Sequence, residues 1–372
     1  MLIRNACIWT EDGFRKGQDI RIRDGRITEV GKGLSPETDE EVRNLEGDYL
    51  TPGFVDVHIH AFQGYDTMRG EADIREMSRR LARVGVAAFC PTTMSASPEE
   101  TRKALEGVRR VMEKPEPGGA RVLGAHMEAP FLSPARAGAQ KKEFFRDPDW
   151  DFFLSLAGDP ACVRLITLAP ERRGSEAFIR RAREAGIRVS VGHSDATAEQ
   201  LHLAGDWGAD HVTHIFNAQS PLNHRAPGVP GATLVDPRFF CELICDGKHL
   251  HPDIIRLVTY CKNSRLAMAI TDAMEAAGLP EGEYALGGQK VIVRDGAARL
   301  EDGTLAGSVL TMEQAMRNLM GMCRFLPETA CRMCTVTPAR SVGEKLVGRL
   351  LPGSPTPLNR WSFDWSRRET IL

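Results

Sequence analysis

The first fifty residues alternate apolar and polar positions in short runs. Residues 2–9, 19–23 and 26–30 each have the two-residue period of a half-buried strand. Asp24-Gly25 separates the last two and signals a tight hairpin turn. From Gly53 the rhythm changes to short apolar runs alternating with stretches of helical period. The runs predict strands over 53–61, 87–94, 122–128, 163–170, 187–193, 211–217, 241–246 and 266–272. Helical patterns lie between them, among them 74–84, 99–112, 176–185 and 198–207. Eight strands alternating with helices predict an α/β fold, a (β/α)8 TIM-type barrel, with a doubly wound open sheet as the rival. The rhythm breaks over about 275–305. There residues 284–293 followed by Asp295-Gly296 read as an inserted hairpin, and a helix over 312–325 follows. The tail from Val347 is rich in Pro, Gly and Ser and is expected to return to the N-terminal β unit.

Polar residues that bind metals interrupt this pattern at particular places. His58-Ile59-His60 ends the first barrel run, and residues i and i+2 of a strand share a face. Glu128, His193, His214 and Asp272 each close a later run. In a barrel, strand C-termini converge on one mouth, whereas in an open sheet they would be strung along an edge. That favours the barrel and makes one metal site of the six residues. Three or four His with Asp and Glu suit zinc, iron(II) or another divalent ion. With no cysteine in the set, a catalytic site with an open position for water is expected. Glu128 is placed to bridge two ions, and Asp272 to act as general base and then as proton donor to a leaving amine. Gly192 permits a close backbone approach beside His193. His126, His202, His211, His224 and His251 read as ordinary satisfied polar residues.

Composition narrows the picture. The chain has 372 residues, 42 % apolar and 26 % charged, with a formal net charge of −2, and no basic face that would mark a nucleic-acid partner. No apolar run is long enough for a membrane span, and the N-terminus has no signal-peptide core. Nine scattered cysteines point to reduced thiols and a cytoplasmic location. Cys331-Arg332-Met333-Cys334 has redox spacing but no second such pair, and reads as structural.

The segments 52–60, 126–131, 192–197, 213–218, 246–249, 271–274 and 302–308 together resemble the N-acetylglucosamine-6-phosphate deacetylases of the amidohydrolase superfamily. They occur in family order over roughly residues 50–345. The resemblance implies a barrel over 51–339 and a small β-sandwich from 1–50 plus about 340–372. It implies metal binding by Glu128, His193 and His214, a second ion through His58 and His60, and Asp272 as acid/base. One or two divalent ions per subunit are expected, zinc first and iron(II) as an alternative. Substrate contacts would fall on Ala139, Gln140, Asn217, Ala218, Arg225, Asp246, Gly247, Lys248, His249, Leu305, Ala306 and Gly307. Arg225 would hold the phosphate, and His249 the phosphate or the acetyl carbonyl. A homodimer or higher homo-oligomer, with some of these groups acting across the interface, is also implied.

The chain departs from the family pattern in four places near the site: Ala129 for Gly, Gln140 for His, Gln219 for Met, and Ala226 for Glu. The tail is the most divergent part, and its share of the sandwich is expected to be short. The expected activity is hydrolysis of the acetamide of N-acetylglucosamine 6-phosphate to glucosamine 6-phosphate and acetate in amino-sugar catabolism. The galactosamine epimer and a cyclic amide are the alternative substrates. The absence of a strand-end Lys argues against the cyclic amide. A non-catalytic barrel that kept its metal is the rival from outside enzymes.

Overall fold

A computed structural model describes residues 1–372. The parallel strands follow the expected order: Phe54–Ile59, Val86–Pro91, Ala125–Met127, Val163–Leu168, Arg188–Val191, His211–Val212, Phe240–Ile244 and Ala267–Ile270. They form a curled sheet in two segments. One joins Phe54–Ile59, Val86–Pro91 and the short Arg121–Val122; the other runs in chain order from Ala125–Met127 to Ala267–Ile270. Parallel bridges Thr92–His126 and Ile59–Ala273 link the segments at both ends. The Thr271 hydroxyl adds a hydrogen bond to Asp56 Oδ2 at 2.6 Å. Nearly every residue of these strands is buried, as a sheet covered on both faces requires.

All these parallel strands are shorter than the apolar runs predicted, and two fall furthest short. The third breaks at Gly124, where φ is +131°. The sixth stops at Val212, because His214, Phe216 and Ala218 all have positive φ and turn the chain away from the ladder. Some of the helices start where side chains cap them. Ser97 and Glu100 form a capping box for Pro98–Glu113, and Thr197 and Gln200 form one for Ala198–Trp207. The helix expected over 312–325 ends at Gly321.

Both chain ends build one seven-stranded sheet. Its order is Arg368–Ile371, Leu358–Trp361, Tyr49–Pro52, Leu2–Thr10, Gly13–Arg23 and Arg26–Gly31, with Val42–Asn44 beside Leu2–Thr10. The Asp24-Gly25 turn joins the last two strands with both residues at positive φ. The tail does return to the N-terminal unit, as two short strands. Trp361 is fully buried, and Trp365 stacks on Tyr49 at 4.7 Å. The insertion after the eighth strand is a three-stranded sheet, Gly282–Leu286, Gln289–Arg294 and Ala297–Arg299, one strand more than the hairpin expected. All nine cysteines are free thiols, and Cys331 and Cys334 are buried in the core. No helix is long and apolar enough to cross a membrane.

Candidate metal centre

The candidate ligands sit where the parallel strands end. Glu128 directly follows Ala125–Met127, while His193, His214 and Asp272 each stand two residues beyond their strands. These last three adopt left-handed backbone, with φ of 45°, 28° and 51°. Such conformations cost non-glycine residues about 1–3 kcal/mol each and persist where surrounding structure enforces them, often at functional sites. Gly192 makes one of these turns possible: a Cβ there would lie 2.7 Å from Thr213 Cβ and 2.8 Å from Thr167 Cγ2.

The six side chains form two triads. In the first, Glu128 Oε1 lies 3.2 Å from His193 Nε2 and 3.0 Å from His214 Nε2, and the two nitrogens are 3.2 Å apart. In the second, His58 Nε2 and His60 Nε2 are 3.4 Å apart. Asp272 Oδ1 stands 3.4 Å and 3.1 Å from them. Glu128 also reaches the second triad, at 3.6 Å from His58 Nε2 and 3.4 Å from His60 Nε2.

Hydrogen bonds on the far sides of the rings decide what these nitrogens present. His58 Nδ1–H donates to Glu242 Oε2 at 2.9 Å, His60 Nδ1–H to the Thr92 carbonyl at 3.3 Å, and His193 Nδ1–H to the Arg136 carbonyl at 3.0 Å. With Nδ1 protonated, each Nε2 lone pair faces inward, toward carboxylate oxygens and other imidazoles. Acceptors packed this closely repel one another unless a proton or a cation lies between them. Donors bound to tetrahedral zinc by bonds of about 2.0–2.1 Å stand about 3.3 Å apart, which is the spacing of both triads. The donor set therefore fits a divalent ion in each.

Without an ion, protons take up that role. Burial alone would lower the pKa values of His58 and His60, but Glu242, Glu128 and Asp272 outweigh it for His58, and Asp272 and Glu128 for His60. The two imidazoles are raised to about 9 and about 10. Burial would raise Glu128 and Asp272, but the neighbouring imidazoles hold both carboxyls lowered, Glu128 well below the usual range. His126 beneath them is pushed well down by burial and stays neutral, bonded to the Thr167 hydroxyl at 2.7 Å.

Metal uptake must then expel protons. Proton binding by His58 and His60 stabilises the metal-free fold fully below their unfolded pKa near 6.5, and this is lost as pH rises through about 9 to 10. Apparent metal affinity changes in the opposite sense and rises over that range. Calorimetry at pH 7.5 in buffers of different ionisation enthalpy is expected to show at least one proton released as the second triad fills. Binding heats independent of the buffer would contradict this.

A cavity of about 200 Å³ lies over the triads. Ala139, Gln140, Asn217, Ala218, His249, Leu305 and Gly307 line it, together with four residues not foreseen in the sequence: Met94, Gly138, Leu286 and Thr304. The inserted sheet supplies Leu286, and Gln289 Nε2 ties that sheet to the Ala139 carbonyl at 2.8 Å. Gln140 is turned to the metal side. It donates to Glu128 Oε2 at 2.6 Å, and its oxygen accepts from Ser95 N–H at 2.7 Å. Gln219 braces the 213–219 turn through the Thr213 carbonyl and Phe216 N–H.

The remaining expected contacts lie outside the cavity walls. Arg225 and Lys248 are exposed, as is Gly247, and Ala306 packs in the small apolar cluster under the inserted sheet. Asp246 acts through its neighbour, accepting from His249 Nδ1–H at 2.7 Å. Glu242, fully buried beside His58, was not foreseen; a lone charge in the apolar run Phe239–Ile244 was its signal.

The family model described as "Amidohydrolase family" matches residues 49–370. N-acetylglucosamine-6-phosphate deacetylase from Bacillus subtilis is 39 % identical, over 86 % of this chain and 82 % of that protein. N-acetylgalactosamine-6-phosphate deacetylase from Escherichia coli O157:H7 is 35 % identical, over 95 % and 92 %. Among solved structures, a mutant N-acetyl-D-glucosamine-6-phosphate deacetylase from Mycobacterium smegmatis, in complex with N-acetyl-D-glucosamine-6-phosphate, superposes with a TM-score of 0.89. It is 33 % identical, over 100 % of this chain and 96 % of that one.

Proposed function

Because the chain belongs to the amidohydrolase family, in its N-acetylglucosamine-6-phosphate deacetylase group, we propose that it converts N-acetyl-D-glucosamine 6-phosphate to D-glucosamine 6-phosphate and acetate. The observation that carries this reading is the joining of two donor triads by Glu128 in one cavity, which Asp272 also lines.

One or two divalent ions, zinc first and iron(II) as alternative, would be held by Glu128, His193 and His214 and by His58, His60 and Asp272. When bound, such an ion polarises the acetyl carbonyl and acidifies water. Asp272, kept ionised by the imidazoles around it, takes a proton from the water that attacks the carbonyl carbon. As the C–N bond breaks, Asp272 returns that proton to the departing amine nitrogen. His249, oriented by Asp246, presents its other ring edge to the carbonyl or the phosphate. Asn217, Ala218 and the segment Leu305–Gly307 form the walls around the sugar.

The parallel strands are taken as a closed (β/α)8 barrel over 51–339. The two parallel bridges and the Thr271–Asp56 bond support closure. The terminal sheet, with its own eleven-residue core, is taken as the sandwich domain of 1–50 plus about 340–372. Free thiols support a cytoplasmic location. Arg225, exposed on the 220–227 turn, is assigned to the substrate phosphate across a homodimer interface, since no Arg or Lys lines the cavity within one chain. Arg225→Ala is expected to raise KM for the phosphorylated sugar at least about tenfold and to change kcat little, the pattern of lost uniform binding. An equal loss on the unphosphorylated sugar would remove Arg225 from the phosphate site.

The Escherichia coli relative's name makes the galactosamine epimer the second reading. Comparing kcat/KM for the two epimers tests it. The glucosamine form is expected to be favoured; a reversed ratio assigns the galactosamine form.

A further inference from the structure

We propose that Glu242 is a positioning residue that touches both triads and determines whether the His58 side of the centre holds its ion. The proposal rests on the reading that the centre binds divalent metal, and extends it to a residue outside both donor sets. Glu242 lies in the middle of the Phe240–Ile244 strand and is completely buried. A buried carboxylate is costly unless it is paired. No Lys or Arg bonds to this one. Its Oε2 accepts from His58 Nδ1–H at 2.9 Å and from the backbone N–H of His214 at 3.2 Å, while Oε1 has no partner. Its whole hydrogen-bonding capacity in use is spent on one residue from each triad.

The two contacts do different things. The His58 contact fixes which ring nitrogen carries the proton and so keeps the Nε2 lone pair turned toward His60 and Asp272. The His214 contact holds the main chain where φ is 28°, at the turn that carries a ligand of the other triad. His214 keeps its side-chain approach to Glu128 independently, at 3.0 Å. Loss of the Glu242 charge should therefore weaken the His58 side most.

Glu242→Gln keeps the shape and removes the charge. Zinc titrations of the metal-free wild-type and variant proteins against a chromophoric chelator read affinity and stoichiometry without substrate. A failure of the deacetylase reading would thus leave this result standing. The wild type is expected to take up two ions. In the variant, one ion is expected to bind about 10–100-fold more weakly, the range for losing an outer hydrogen-bond partner of a ligand, while the other changes less than about threefold. Both sites unchanged, both weakened equally, or a wild type that binds a single ion would each overturn the proposal. If Glu242→Gln does not fold, zinc-loaded wild type labelled with 15N-histidine gives the test. A protected Nδ1–H resonance that disappears in His58→Asn is expected, and a His58 ring without that proton overturns it.

Discussion

Asp272→Asn is expected to lower kcat by about 10²–10⁴-fold, the usual contribution of a positioned acid/base, with KM changed less than about threefold. Asparagine keeps an oxygen where Asp272 Oδ1 now stands, 3.1 Å from His60 Nε2 and 3.4 Å from His58 Nε2. It therefore preserves the packing of the triad but cannot accept and return a proton. With zinc in excess, metal content measured by elemental analysis is expected to stay near that of the wild type, because the asparagine oxygen still completes the donor set of His58 and His60. Loss of an ion together with activity would instead make Asp272 chiefly a ligand. Retention of more than a tenth of kcat would mean that another group moves the proton.

Glu128→Gln is expected to have the widest effect on metal binding. Glu128 is the one side chain that approaches all four imidazoles, between 3.0 and 3.6 Å. An amide cannot neutralise two cations, and its NH2 group would repel an ion on one side. Both metal equivalents are expected to weaken beyond the roughly 10–100-fold that outer-partner changes cost, with activity falling in parallel. Excess zinc is expected to restore little. Two ions held with wild-type affinity would show that the triads do not share this carboxylate.

The candidate donor set was legible because metal chemistry restricts residue types and strand periodicity restricts where they point. His58 and His60 sit two apart in an extended run; the other four each close a run. The hairpin at Asp24-Gly25 and the strand–helix rhythm were legible for the same local reasons. Where tertiary contacts decide, the sequence misled or was silent. The sixth strand stops at Val212 because His214 turns left-handed, which no propensity announces. Gln140 lines the cavity as expected of a substrate contact, but the bond from its carboxamide to Glu128 was not legible in the sequence. Leu286 becomes a cavity wall only because the inserted sheet folds over the strand ends. Glu242 shows the reverse case. A charge inside an apolar strand was visible, but its partners come from residues 28 and 184 positions away.

The most direct measurement is acetate release from N-acetylglucosamine 6-phosphate by the purified protein. It would be made metal-free, then after addition of zinc or iron(II). Stoichiometric acetate and glucosamine 6-phosphate are expected, dependent on the added ion and abolished by a chelator. A folded, metal-loaded protein that releases no acetate from either epimer would contradict it.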